Sequence, residues 1–148
     1  MKQNIFYYRF PEIDLGEIIL REIKSFDSND YLEYMNNDNM SELLTKCTRP
    51  RTIDEAIREI NYWGGLFKKG RSIYWAIALK STDQMIGTVG FNSINFNHYK
   101  GDISYDLNFH YWGKGIMLKA LKAVLRFSDE YLQLHRIQAT VAIHNYKS

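Results

Sequence analysis

A chain of 148 residues, 45% hydrophobic and 24% charged, is the size and composition of one soluble globular domain with a proper core. Its net charge of +2, with no basic run, excludes nucleic acid or an anionic membrane as the main partner. One cysteine, Cys47, excludes an internal disulfide and fits a reducing cytoplasm, and neither a signal peptide nor an apolar segment of membrane length is visible.

Met1 to Pro11 is aromatic and irregular, an arm that is either mobile or packed down. Leu15 to Ile23 reads as a first strand. Ser25 to Asp30 is a polar turn with several possible N-caps, and a short helix begins over Tyr31 to Met35, ending in Asn36-Asn37-Asp38-Asn39. Ser41 to Lys46 allows another helical turn. Thr52-Ile53-Asp54-Glu55 fits a capping box, and Ile53, Ile57, Ile60 and Phe67 describe a second helix that Gly64-Gly65 would shorten. Lys68-Lys69-Gly70-Arg71 is a solvated basic turn. Ile73 to Leu79 is apolar on both faces and predicts a central strand. Ser81-Thr82-Asp83 predicts a hairpin loop. Met85 to Ile94 is the next strand, with Gly87 and Gly90 marking a bulge or a close backbone approach. Asn95 to Gly101 is a second hairpin turn.

Gly101 to Tyr131 organises the chain. Ile103, Tyr105 and Leu107 alternate with Asp102, Ser104 and Asp106, the pattern of a strand with one buried face. Trp112-Gly113-Lys114-Gly115 is a tight turn. From Ile116 to Tyr131 the spacing becomes helical, with Met117, Leu121, Val124 and Leu125 on one stripe and Lys119, Lys122, Arg126 and Asp129 opposite. The first turn of such a helix carries unpaired amides at the positive end of the macrodipole. Glycines keep Cβ atoms away from them, and no Ser, Thr, Asp or Asn at Gly113 to Gly115 caps them. From spacing alone, an anion site and an ordinary strand-to-helix connection both remain open. Arg136 to Ile143 then alternates again, with Ile137, Ala139, Val141 and Ile143 facing one way. The order of elements predicts an α+β fold whose last strand pairs parallel to the one before the long helix.

The segment YDLNFHYWGKGIMLKAL resembles the acyl-CoA-binding motif of the GNAT N-acetyltransferases, especially the branch that modifies ribosomal-protein N-termini. There a strand leads into Tyr-Trp-Gly-x-Gly-Ile/Tyr and a helix. LHRIQATVAIHNYKS is similar to the family's next strand and its Asn-x-x-Ser motif, here Asn145 to Ser148. The resemblance implies a single GNAT-like acyl-CoA-binding domain over residues 1–148, with a mixed, mostly antiparallel sheet flanked by helices. It also implies a C-terminally incomplete domain, because relatives continue into another helix and two strands. That helix supplies a tyrosine able to protonate the leaving thiolate.

The resemblance also implies roles. The amides around Gly113, Lys114, Gly115 and Ile116 would hold the pyrophosphate of acetyl-CoA. The backbone of Leu107 and Asn108 would pair with the pantetheine arm like an added strand. Asn145 would contact the arm near the splay. Lys114 is either a phosphate partner or a surface lysine. Asp102 falls where relatives carry a strand glutamate proposed as base, and otherwise faces solvent. The reaction implied is direct attack of a neutral primary amine on the thioester. The acceptor is a protein N-terminal α-amine (pKa near ~8) or a small-molecule amine. A base must take the proton and fixed dipoles the oxyanion. No metal is expected, since His98, His135 and His144 lack ligand spacing, and His110 is discounted because the amides do the binding. A homodimer would cover the edge of the last strand. The other reading is a catalytically weak or inactive module that binds CoA or a partner chain. A dinucleotide site is disfavoured, as GKG lacks a third glycine at the required offset.

Overall fold

The computed structural model describes residues 9–41 and 49–140. The readings placed on Cys47, on residues 42–46, on Asn145 and on the strand beyond residue 140 lie outside the described residues.

Among the described residues six strands form one sheet in the order of the chain: β1 (Ile13–Asp14), β2 (Ile18–Glu22), β3 (Tyr74–Leu79), β4 (Met85–Asn95), β5 (Lys100–Leu107) and β6 (Arg136–Ala139). Each neighbouring pair is antiparallel except β5 and β6, which run parallel from Lys100 opposite Arg136 to Ile103 opposite Ala139. A parallel pair needs a crossover, and α4 (Ile116–Phe127) supplies it. Between β2 and β3 lie α1 (Ser28–Met35), α2 (Asp38–Ser41) and α3 (Ile53–Lys68).

The sheet is covered on both faces. Trp75, Ile77, Val89, Phe91, Ile103 and Leu107 pack with Ala120, Val124 and Phe127 of α4. Tyr74, Ala76 and Met85 pack with Tyr31, Tyr34 and Met35 of α1 and Ala56 and Ile60 of α3. Alternate residues of β3 therefore enter different layers, which is why its sequence is apolar throughout.

Several boundaries differ from the sequence reading. The first strand is a hairpin, with Gly16 at φ +95° donating its amide to Asp14 Oδ1 at 2.9 Å. Phe10 packs on Phe67, and the Pro11 carbonyl accepts from Trp75 Nε1, so the end of the N-terminal arm is packed down. α1 opens at Ser28, after a 3-10 turn over Ser25–Asp27. The extra helical turn lies at Asp38–Ser41. Thr52 Oγ1 caps α3 by accepting from the Glu55 amide (3.2 Å), but Glu55 Oε2 reaches the Arg51 amide, one residue before the box position. Gly64 and Gly65 do not stop α3, because Phe67 beyond them is buried. α4 ends at Phe127 in a π turn, and Leu125 is exposed, so its buried stripe is Ala120, Val124 and Phe127. Gly87 and Gly90 mark close approach: a Cβ would come within 2.5 Å of the Asp106 carbonyl oxygen and of Tyr74 Cα respectively.

Candidate active site

After Leu107 the chain makes a 3-10 turn over Phe109–Tyr111, with Asn108 Oδ1 accepting from the His110 amide at 3.1 Å. Gly113 and Gly115 then adopt φ of +77° and +75°, left-handed conformations that a side chain would strain. Gly115 is the N-cap of α4, its carbonyl receiving the Lys119 amide at 3.1 Å. No side chain caps the helix, and among the described residues no acceptor meets the amides of Gly113, Lys114, Gly115 or Ile116. A Cβ added to either glycine would find nothing within 4 Å. Uncapped amides, a dipole end and open space beside them suit the phosphate groups of a nucleotide. Lys114 is exposed, with Nζ 5.4 Å from the centre of the Tyr111 ring, so its charge stands over the turn. His110 is exposed.

The edge of β5 leads into this turn. The Asn108 amide bonds the Ile86 carbonyl on β4 at 2.7 Å. By alternation the N–H and C=O of Leu107 turn the other way, toward the β6 side. The described β5–β6 ladder stops at Ile103 and Ala139, short of Leu107. The Leu107 carbonyl accepts from Trp112 Nε1 at 2.7 Å, and the Asn108 carbonyl accepts from the Tyr111 amide at 2.9 Å. Of these two residues, Leu107 is the one turned toward that side.

The carboxylates of β5 have opposite environments. Ser93 Oγ donates to Asp102 Oδ2 at 2.8 Å, and this bond together with Gln138 holds the Asp102 carboxyl below its usual range. The alternation of β5 predicts one buried face, with Asp106 on the other; the structure covers that other face as well. The Asp106 carboxylate turns inward and accepts from Tyr34 Oη (2.6 Å) and Thr88 Oγ1 (2.7 Å). Burial pushes its carboxyl up to about 6, against those two hydrogen bonds. Around it, Tyr31 donates to Glu59 Oε2 at 2.6 Å, and burial raises the Glu59 carboxyl as well. Trp63 stacks on Tyr74 with ring centres 4.7 Å apart, and Tyr31 meets Trp63 edge-on at 5.5 Å. The Tyr74 hydroxyl meets Ser104 Oγ, which donates to the exposed Asn92. Burial raises the hydroxyls of Tyr31, Tyr34 and Tyr74 above their ordinary value.

This aromatic and acidic layer escaped the sequence reading because alternation separates two faces without saying what covers each. The available signal was Tyr31 and Tyr34, three apart on one helix and able to meet a strand carboxylate. Among the described residues no group of three His, Cys, Asp or Glu side chains is placed to hold a metal, and no helix is long and apolar enough to cross a membrane.

Comparison with known proteins gives the context. The profile of the acetyltransferase (GNAT) domain matches residues 17–148. The uncharacterized N-acetyltransferase YoaA of Bacillus subtilis is 27% identical over 139 residues, 94% of this chain and 78% of that one. The structure of the ribosomal-protein-S5-alanine acetyltransferase from Vibrio fischeri superposes with a TM-score of 0.79 at 25% identity, covering 92% of this chain and 76% of that one. The ribosomal α-N-protein acetyltransferase RimL in complex with coenzyme A shares the fold, with a TM-score of 0.80 at 17% identity over 91% of this chain and 77% of that one.

Proposed function

The chain belongs to the GNAT acetyltransferases, and from that premise we propose that it moves the acetyl group of acetyl-CoA onto the α-amine of a protein N-terminus. The observation that carries the cofactor half is the set of uncapped amides at Gly113, Lys114, Gly115 and Ile116, fronted by two left-handed glycines. In this reading those amides receive the pyrophosphate, and Leu107 pairs with the pantetheine arm on the β6 side, beyond the point where the described β5–β6 ladder stops at Ile103. The acceptor half is favoured by the relative from Vibrio fischeri, whose name gives a ribosomal-protein alanine as its substrate. A small-molecule amine is the other acceptor class.

Calorimetry with acetyl-CoA and with free adenosine, followed by thiol release with alanine- and serine-initiated peptides and with spermidine, tests this. Binding of acetyl-CoA with thiol release on the peptides supports it. Release with spermidine alone moves the acceptor to small amines. Binding without release on any amine points to a module that holds CoA or a partner chain without turnover. No heat on acetyl-CoA titration sinks the cofactor half.

β6 is the outermost strand of the sheet among the described residues, and most of it is exposed. Pairing of two chains along that edge belongs to the same proposal.

A further inference from the structure

We propose that Asp106 takes up the proton lost by the attacking amine, through the Tyr34 hydroxyl that it holds, and so positions the base of the reaction. This rests on the acetyl-CoA reading above. With the pyrophosphate at residues 113–116 and the arm against Leu107, the thioester lies beside β5 on the Ile103 side of Leu107, past the end of the described ladder with β6. The polar groups that β5 carries on that stretch are Ser104, the Tyr105 hydroxyl and Asp106, and Tyr105 packs in the α4 layer, which leaves Ser104 and Asp106 for the other face. Both project to the face covered by α1 and α3, as their bonds to Tyr74 and Tyr34 show. Ile103 and Leu107 enter the α4 layer instead.

The surroundings of Asp106 favour a group that holds a proton and gives it up. From α1 it meets Tyr34, with Tyr31 close by; from α3 Glu59; from β3 Tyr74; from β4 only the hydroxyl and backbone of Thr88. These groups are neutral or acidic, and among the described residues no Lys, Arg or His forms an ion pair with it. With its carboxyl raised to about 6, Asp106 is ionised near neutrality yet basic enough to accept a proton. Asp102, held below the usual range by Ser93 and Gln138, is a weaker acceptor.

The step balances. The amine nitrogen bonds the acetyl carbon and the C–S bond breaks, its electron pair leaving on the CoA thiolate. The amine proton passes to the Tyr34 oxygen as the Tyr34 proton passes to Asp106. Asp106 then releases that proton to solvent, and the thiolate draws its own from solvent.

The test uses the whole chain, acetyl-CoA and an alanine-initiated peptide, with thiol release followed against pH and acetyl-CoA binding by calorimetry. Wild-type kcat/KM should fall more steeply with acid below about 6, where protonated Asp106 adds its loss to that of the amine. Asp106→Asn should bind acetyl-CoA as wild type does, lower kcat/KM by roughly 10²-fold or more and lose the extra steepness. Asp106→Glu should keep the steepness, and Tyr34→Phe should lower kcat. A purely structural role would weaken folding and acetyl-CoA binding together and leave the steepness in place, which overturns the proposal. So does transfer of the pH effect to Asp102→Asn. A carboxyl-carbon NMR titration that puts Asp106 in the ordinary aspartate range overturns it whatever the acceptor. A wild-type chain that binds no acetyl-CoA overturns the acetyltransferase reading and this role with it, whereas normal turnover by Asp106→Asn overturns the role alone.

Discussion

Gly115 and Asp106 state the residue-scale physics in opposite ways. Gly115 has room for a side chain but the wrong φ for one, so Gly115→Val should strain the turn by roughly 1–2 kcal/mol and place methyl groups near the amides. Acetyl-CoA affinity should drop at least tenfold in calorimetry while far-UV circular dichroism stays unchanged; unchanged affinity would remove the turn from the site. Asp106 bears on stability as well. Its carboxyl rises from an ordinary value near ~4 in the unfolded chain to about 6 in the fold, so between those values the native state binds more protons than the unfolded one. The sign is that stability falls as pH rises through this window. Asp106 then costs on the order of 2 kcal/mol at neutral pH relative to acid. Urea midpoints of wild type and Asp106→Asn between acid and neutral pH should converge on the acid side, and parallel curves would refute that reading.

At the scale of elements, Arg21 and Gly90 hold strands in register. Arg21 on β2 is buried, donates to both oxygens of the fully buried Asp27 (2.9 and 2.8 Å) and reaches Asp83 Oδ1 in the β3–β4 loop at 2.7 Å. Arg21→Met would strand the Asp27 carboxylate without its partner, and a loss of about 3–5 kcal/mol is expected in denaturant unfolding. Gly90→Ala would place a Cβ 2.5 Å from Tyr74 Cα and 2.6 Å from the Ile73 carbonyl, both backbone, so β3 and β4 must part; a loss of roughly 2 kcal/mol or more is expected. Strand alternation and glycine turns made β3, β4, β5 and α4 legible in the sequence, because their signals are local. The covering of the polar face of β5 was not legible. Tyr34 and Asp106 are 72 residues apart, and a hydrogen bond at that separation exists only once the helices have docked. The failure of Gly64-Gly65 to end α3 has the same origin, since Phe67 is anchored in the other layer.

For the whole molecule, the sheet separates two tasks. In the proposed function α4 and the glycine turn would hold one end of the cofactor, while α1 and α3 build the acidic aromatic wall on the opposite face. β5 belongs to both, and a disturbance of its register would reach both. If two chains pair through the edge of β6, light scattering at high concentration should give twice the monomer mass, and a charge at the exposed Ala139 (Ala139→Lys) should return it to one; a monomer throughout would remove that arrangement.

The sheet order has a kinetic consequence. Each strand docks on the one made just before it, so a nascent polypeptide can lay down β1 to β5 progressively as it emerges, without waiting for a distant segment. If the proposed acetyl-CoA site is right, its glycine turn is followed by α4 and β6, the last-made elements of the described sheet, so competence for ligand would come late in biogenesis.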